Sequence, residues 1–204
     1  MLTQNLPDFW EKKYNDGDDS WDLAGVSPIL EDFFENPICP KEGRVLVPGA
    51  GRGYDAKAWA ERGHETLAVD YCPTAVDALD SLSRVVDNLT AKDIDLFELN
   101  PKDSGEFDII WEYTCFCAIH PGRRDEYFEI WYKMLKDDGI VVASFFPFNA
   151  TSPMDGPPHS TSEGELMARL DGIFDIVERL TPKKSAPGRE GQEVIWILKK
   201  VVEE

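Results

Sequence analysis

A chain of 204 residues is long enough to bury a sizeable core and short for two ordinary domains, so a single domain over 1–204 is expected. Its composition, 42% hydrophobic and 29% charged with six Trp, is that of a folded globular protein. Thirty-nine acidic residues against 21 basic ones leave a formal net charge of −18, a field that repels phosphate backbones and anionic headgroups and argues against nucleic acid or membrane partners.

No apolar run approaches the ~20 residues of a membrane span. The start, MLTQNLPDFWEKKYNDGDD, lacks the basic and hydrophobic parts of an export signal, so a cytoplasmic location is expected. Cys39, Cys72, Cys115 and Cys117 lack C-x-x-C spacing and have only three histidines around them. Reduced thiols, with neither a metal site nor a disulfide framework, are the expectation.

After a polar N-terminal stretch, Pro28–Phe34 reads as a short helix stopped by Asn36-Pro37. Arg44–Val47 is a buried strand, Tyr54–Arg62 a helix closed by Gly63, and Thr66–Val69 a second strand ending at Asp70, which completes a βαβ unit. Pro73 suits a helix start, and Val76, Leu79, Leu82, Val86 and Leu89 set one apolar face on a helix over 74–89. A short strand near Ala91–Ile94 follows, then a fourth strand over Phe107–Trp111. Arg123–Leu135 reads as a helix with Gly139 behind it, and Ile140–Phe145 as a fifth strand. Such alternation implies a doubly wound, mostly parallel sheet with helices on both faces. The tail departs from it: Glu163–Leu170 is helical, but Phe174–Leu180 and Glu193–Lys199 are strand-like runs separated only by the loop PKKSAPGREG. Without a helix between them they must pair as an antiparallel hairpin, which argues against a plain dinucleotide-binding fold.

Residues 45–53, VLVPGAGRG, carry the first chemical signal. Gly49, Gly51 and Gly53 allow a sharp turn at the carboxyl end of the first strand and a close approach of ligand to backbone. Asp70, ending the neighbouring strand, can accept hydrogen bonds from two ribose hydroxyls. A nucleoside-containing ligand answers both features. Asp95 follows the third strand in KDIDLF, where Asp93 and Ile94 can present a polar and an apolar contact to an adenine ring. The aromatic-rich FDIIWEYTCFCAI leaves the sheet beside the first strand, where an open parallel sheet has its crevice. This order fits a methyltransferase better than a dehydrogenase.

The segments FWEKKYNDGDDSWDLAGVSPIL, VPGAGRGYDA, DLFEL, FDIIWEYTCFCAIHPGRRDEY, MLKDDG and GPPH at 156–159 span almost the whole chain. Together they resemble the thiopurine methyltransferase superfamily, and within it the thiol and halide methyltransferase branch. The resemblance implies a class I methyltransferase with a seven-stranded sheet, S-adenosylmethionine as donor, and residues 1–40 as a cover over the cofactor. It further implies that Trp10, Tyr14 and Trp21 surround the methionine half and the sulfonium, beside the backbone at Pro48, Gly49 and Gly51. Asp70 would hold the ribose, Asp93 and Ile94 the adenine, and Glu112, Tyr113 and Arg124 would line the reaction centre, with Glu112 also against the cofactor. Glu112 stands where the family more often has Asp, and the longer insertions of animal members are missing.

Methyl transfer from a sulfonium is an in-line displacement, so a soft anion needs alignment and desolvation more than a base. Aromatic faces hold a methyl-sulfonium by cation–π attraction of about 0.5–2 kcal/mol, a reason for the Trp10, Tyr14 and Trp21 set. Arg123 and Arg124 open a helix against its dipole, where Arg124 can hold a thiolate or halide beside the methyl group. Cys115, Phe116 and Cys117 are expected to wall the acceptor pocket with Phe146 and Phe148, and Gly156-Pro157-Pro158 to shape a rigid loop above it. The expected function is methylation of a small soft nucleophile: a thiol, bisulfide, thiocyanate or halide. A metalloid, oxygen or nitrogen acceptor is the alternative, with His120 as the candidate base for the last two. A nucleotide-sensing module without turnover is the alternative from another class. No apolar stripe is left over, so a monomer is expected.

Overall fold

The computed structural model describes residues 6–150 and 156–202. Residues 1–5, 151–155 and 203–204, which fall within the expected single domain and in part within its cover, lie outside the described residues.

The strands are β1 (Arg44–Pro48), β2 (Glu65–Asp70), β3 (Leu89–Asp93), β4 (Phe107–Tyr113), β5 (Leu135–Phe145), β6 (Phe174–Leu180) and β7 (Val194–Lys200). They form one seven-stranded sheet in the order β3-β2-β1-β4-β5-β7-β6. From β3 to β5 every pairing is parallel, whereas β7 pairs antiparallel with both β5 and β6, so β7 alone runs against the rest. The expected hairpin is present, and it joins the sheet through its second strand.

The helices are α1 (Pro7–Asp16), α2 (Pro28–Phe34), α3 (Tyr54–Glu61), α4 (Pro73–Ser83), α5 (Pro101–Ser104), α6 (Arg124–Met134) and α7 (Glu163–Leu170). Alternate residues of the central strands feed two cores. Val45, Val47, Ile109, Trp111 and Val142 pack against Ile29 and Phe33 of α2, Trp59 of α3 and Leu79 of α4. Leu46, Ile110, Val141 and Ala143 face the other way, against Tyr127, Phe128 and Trp131 of α6 and Leu166 and Leu170 of α7. The period of two in each strand thus sorts apolar side chains onto both faces, as a sheet covered on both sides requires.

Several boundaries differ from the sequence reading, and one helix is added. The helix read as 74–89 stops at Ser83, because Asn88 takes a left-handed φ of 63° and turns the chain so that Leu89 begins β3. Arg123 belongs to a 3-10 turn with Pro121 and Gly122, and α6 begins at Arg124. β5 already begins at Leu135, the residue expected to end the helix. α1 lies in the stretch read as merely polar and buries no residue fully. Its seat is polar instead: Glu11 accepts hydrogen bonds from the Thr74 backbone N–H (2.9 Å) and hydroxyl (2.9 Å), capping the first turn of α4.

Asp55 of α3 fastens α2 and β4 together. One carboxylate oxygen accepts from the Ser27 backbone N–H (2.8 Å), the other from the Ser27 hydroxyl (2.8 Å) and the Trp111 indole N–H (2.8 Å). Burial pushes the Asp55 carboxyl above its ordinary range, so part of the gain from three donors offsets desolvation. Asp55→Ala is expected to destabilise the fold by about 2 kcal/mol, the net cost of leaving buried donors unpaired. Urea unfolding checks it: the midpoint should fall with an unchanged slope.

Among the described residues no helix is long and apolar enough to cross a membrane.

Candidate active site

A cavity of about 520 Å³ opens at the carboxyl ends of the parallel strands. The strand order reverses between β1 and β4, and there neighbouring connections leave on opposite faces of the sheet and open a crevice. Gly49 and Gly51 follow β1, Asp70 ends β2, Thr114, Cys115 and Cys117 follow β4 and Phe146 follows β5, and each contributes to the wall.

Gly49 and Gly51 take φ of 56° and 55°, a left-handed conformation that disfavours a side chain. Space is lacking at Gly49 and tight at Gly51. A Cβ on Gly49 would meet Cys115 Sγ at 2.6 Å, and one on Gly51 would meet the Tyr14 hydroxyl at 3.3 Å. Thr114 also takes a left-handed φ, 64°, and this turn brings Cys115 against Gly49. A non-glycine residue in that region costs about 1–3 kcal/mol, strain kept where β4 ends at the cavity.

Asp70 organises the turn through three backbone N–H groups: Gly51 (2.9 Å) on one oxygen, Tyr71 (2.8 Å) and Cys72 (3.0 Å) on the other. Burial pushes its carboxyl up, and those three donors pull it back. Trp10, Tyr14 and Trp21 close the opposite wall. Trp21 meets both Trp10 and Tyr14 edge to face at 5.5 Å, and its indole N–H points to the Tyr14 hydroxyl at 3.4 Å. Burial raises Tyr14 to about 12, so the phenol stays protonated. Arg52, from the glycine turn, pairs with Asp22 (2.5 Å) and lies 5.0 Å over the Tyr14 ring, tying this aromatic wall to the turn.

The remaining expected residues divide. Ile94 borders the cavity together with Asp95, whereas Asp93 is exposed on the edge strand β3 and Pro48 is buried behind the turn. Glu112 shares the Ile110 face of β4 and points into the core, where Phe116 N–H donates to one oxygen (2.7 Å) and the Tyr127 hydroxyl to the other. Arg124 is fully buried too, with its guanidinium taken up by Glu165 (2.8 Å) and the carbonyls of Ser160 (3.2 Å) and His159 (3.0 Å). Neither Glu112 nor Arg124 borders the cavity, so the expectation that they line the reaction centre is corrected. Arg124 instead anchors the segment that carries Pro157 and Pro158, which do form wall.

His120 caps its own turn, Nδ1 accepting from Gly122 N–H at 3.1 Å, and does not border the cavity. Cys115, Cys117 and Phe146 do; Phe116 is core, and Phe148 packs toward Trp196. Burial pushes both thiols up, Cys117 to about 12, so they stay protonated and act as soft, neutral wall. Tyr113 borders a smaller recess of about 80 Å³ that shares Tyr14, Trp21, Gly49, Gly51 and Thr114 with the large one.

One cavity-wall cation escaped the sequence reading. Arg189, in the loop between β6 and β7, is 7% exposed, borders the cavity, and stacks over Phe146 (5.0 Å) and Tyr113 (5.4 Å). Its guanidinium donates to the Tyr113 hydroxyl at 3.0 Å and lies 3.8 Å from Glu193. A single arginine in a Pro- and Gly-rich loop carries no local signal; only the return of β7 to the carboxyl end of β5 brings it here.

The shape suits an elongated ligand with a nucleoside at one end and a cationic centre at the other. The glycine turn brings backbone to the cavity wall, one carboxylate sits at the end of β2, and aromatic faces cover the middle. Among the described residues no cluster of His, Cys, Asp and Glu is disposed to hold a metal ion.

Comparison with known proteins agrees with this geometry. The thiopurine S-methyltransferase family model matches residues 5–201. The chain is 30% identical over 204 residues to a probable thiol methyltransferase 2 of Arabidopsis thaliana, covering 98% of this chain and 88% of that protein. Its identity is also 30% to thiocyanate methyltransferase 1 of Brassica oleracea, over 94% of this chain and 84% of the relative. Among solved structures, a 1,6-didemethyltoxoflavin-N1-methyltransferase of Burkholderia thailandensis shares the fold with a TM-score of 0.71 at 24% identity, covering 97% of this chain and 88% of that one. The sheet order and the antiparallel strand are those of the class I methyltransferase fold. The chain therefore belongs to the thiopurine S-methyltransferase family, and it is a methyltransferase whose cofactor is S-adenosylmethionine.

Proposed function

We propose that the chain methylates a small soft nucleophile, a thiol, bisulfide, thiocyanate or halide, by in-line displacement. The observation that carries this reading is Arg189, a nearly buried cation set between the rings of Phe146 and Tyr113 at the wall that also holds Cys117. A guanidinium in an apolar, sulfur-lined recess attracts a weakly hydrated anion and strips its water, which raises the reactivity of a soft nucleophile. The names of the two plant relatives, a thiol and a thiocyanate methyltransferase, support the same acceptor class.

When bound, the cofactor supplies a methyl group activated on a sulfonium. Asp70 would hold the ribose hydroxyls, Ile94 and Asp95 would contact the adenine, and the backbone at Gly49 and Gly51 would take the methionine half. Trp10, Tyr14 and Trp21 present aromatic faces to the sulfonium and exclude water. α1 and the loop after it serve as the cover, seated on α4 by Glu11 and held to the glycine turn by Arg52 and Asp22. Alignment and desolvation then carry the reaction for an acceptor that arrives as an anion.

The test is a panel. Purified protein receives S-adenosylmethionine with iodide, bisulfide, thiocyanate or a small aromatic thiol, and S-adenosylhomocysteine is followed together with the methylated products. Turnover of at least one of these is expected. Arg189→Met should raise KM for thiocyanate by about 10- to 100-fold, the worth of one charge-assisted contact, while cofactor affinity by calorimetry moves less than about threefold. Silence across the panel with the cofactor bound would remove this acceptor class.

A further inference from the structure

The acceptors in that panel differ in one respect that the geometry addresses. Iodide and thiocyanate carry no proton to lose, whereas a neutral thiol does. Asp55 and Asp70 have both oxygens engaged by structural donors, as does Glu112, and His120 stands off the cavity with Nδ1 engaged. Glu193 differs. It is 2% exposed, immediately precedes β7, and its Oε2 has no hydrogen-bond partner among the described residues.

The Tyr113 hydroxyl links Glu193 to the site. It donates to Glu193 Oε1 (3.4 Å) while accepting from Arg189 (3.0 Å), so its proton is aimed at the carboxylate and one oxygen lone pair remains for another donor. Ser144, aligned with Tyr113 across β4 and β5, is likewise buried, its hydroxyl unpartnered among the described residues. A buried polar corner with two unfilled positions beside a ligand recess is arranged to exchange hydrogen bonds with what enters.

We propose that Tyr113 and Glu193 form a proton path for acceptors that arrive protonated, with Glu193 as the terminal proton acceptor, so that the enzyme turns over neutral thiols as well as preformed anions. This rests on the functional reading above and extends it to a second protonation class of substrate. The acceptor's S–H bond breaks as its sulfur forms a bond to the methyl carbon. That proton passes to the Tyr113 oxygen as the Tyr113 proton passes to the Glu193 carboxylate. The electron pair of the methyl–sulfonium bond stays on the donor sulfur, which leaves as a neutral thioether. Glu193 returns its proton to water by the same route once the product departs, so no further reagent is needed. Arg189 donates to the phenol oxygen and steadies its negative charge during the transfer. Burial first, and Glu190 nearby, push the Glu193 carboxyl up and make it a stronger base, while Arg189, Tyr113 and Ser185 act in the opposite sense; Asp55 faces Tyr113 from α3.

The experiment compares thiocyanate with 2-mercaptoethanol at pH 6.5, well below the range where a simple thiol ionises, so that nearly all of it arrives protonated. For the wild type, product is expected from both. In Glu193→Gln, and independently in Tyr113→Phe, the ratio of kcat/KM for thiol to that for thiocyanate should fall by about 100-fold, the typical worth of a positioned base. A pH profile gives the second reading. Both variants should follow the fraction of preformed thiolate, rising tenfold per pH unit up to the thiol's own pKa, whereas the wild type should level off well below it. An unmoved ratio, a parallel loss with both acceptors, or a wild type that takes thiocyanate but not the thiol would each overturn the proton path alone. No product from either acceptor in the wild type, with cofactor bound by calorimetry, would overturn the functional reading and the path together.

Discussion

Asp70→Ala is expected to weaken S-adenosylmethionine binding by at least about 100-fold, measured by titration calorimetry. A carboxylate hydrogen-bonded to a hydroxyl contributes about 1.5–3 kcal/mol, and Asp70 is proposed to hold two. Three backbone N–H groups also converge on it, so alanine would loosen the Gly51 and Tyr71–Cys72 turns as well. Asp70→Asn separates these effects. The amide oxygen can keep the Tyr71 and Cys72 donors while its NH2 faces the Gly51 N–H, so Asn should lose less cofactor affinity and less thermal stability than alanine, though some of both. If Asp70→Ala bound the cofactor as tightly as the wild type, the ribose contact would have to come from elsewhere in the wall.

Glu112→Gln should reverse the usual expectation that removing a charge–dipole contact destabilises a protein. Burial raises the Glu112 carboxyl from its ordinary 4.5 to about 7, despite hydrogen bonds from Tyr127 and Phe116 that favour the ionised form. The folded state thus binds this proton more tightly than the unfolded chain does. Stability from this group is fully present below pH 4.5 and is lost as pH rises to about 7, by about 3 kcal/mol over that window. Glutamine fills the same space without titrating. The difference in unfolding free energy, variant minus wild type, should therefore climb by about 3 kcal/mol between pH 4.5 and 7.5 and stay level above it, as read by urea unfolding across that range. A difference independent of pH would mean that Glu112 is ionised in the fold from pH 4.5 upward.

Glu112 also shows where sequence reasoning stops. The alternation in FDIIWEY is visible, but both faces of β4 are buried, so periodicity cannot say which face holds the ligand. Ile110 and Glu112 face α6 and meet Tyr127, a partner fifteen residues away that only packing reveals. Arg124 fails for a related reason. Its place at a helix start, against the dipole, correctly signals a nearby anion, but that anion is the carboxylate of Glu165 on α7. Where a rule was local, the sequence was enough: Gly49 and Gly51 both take left-handed backbone, Pro28 and Pro73 both start helices, and Asp70 stands at the end of β2. α1 was missed because its stability comes from a carboxylate capping another helix and from the Trp10, Tyr14 and Trp21 contacts, with no apolar stripe to mark it. Arg189 and Glu193 were missed because they gain their meaning from a strand that runs the other way.

That reversed strand separates two tasks along the chain. The residues proposed to hold the cofactor lie before residue 96, in the cover ahead of β1 and in the connections at the cavity ends of β1, β2 and β3. A strand added in the same direction would begin at the far edge of the sheet, and the loop leading into it would open there. Because β7 starts where β5 ends, with Val194 opposite Phe145, the loop over 181–193 arrives at the reaction end instead. It is fastened by strands on both sides and carries none of the nucleoside contacts. Such a loop is an exchangeable part: grafting a relative's version between β6 and β7 would retune which nucleophile is accepted while the adenosine grip is inherited intact.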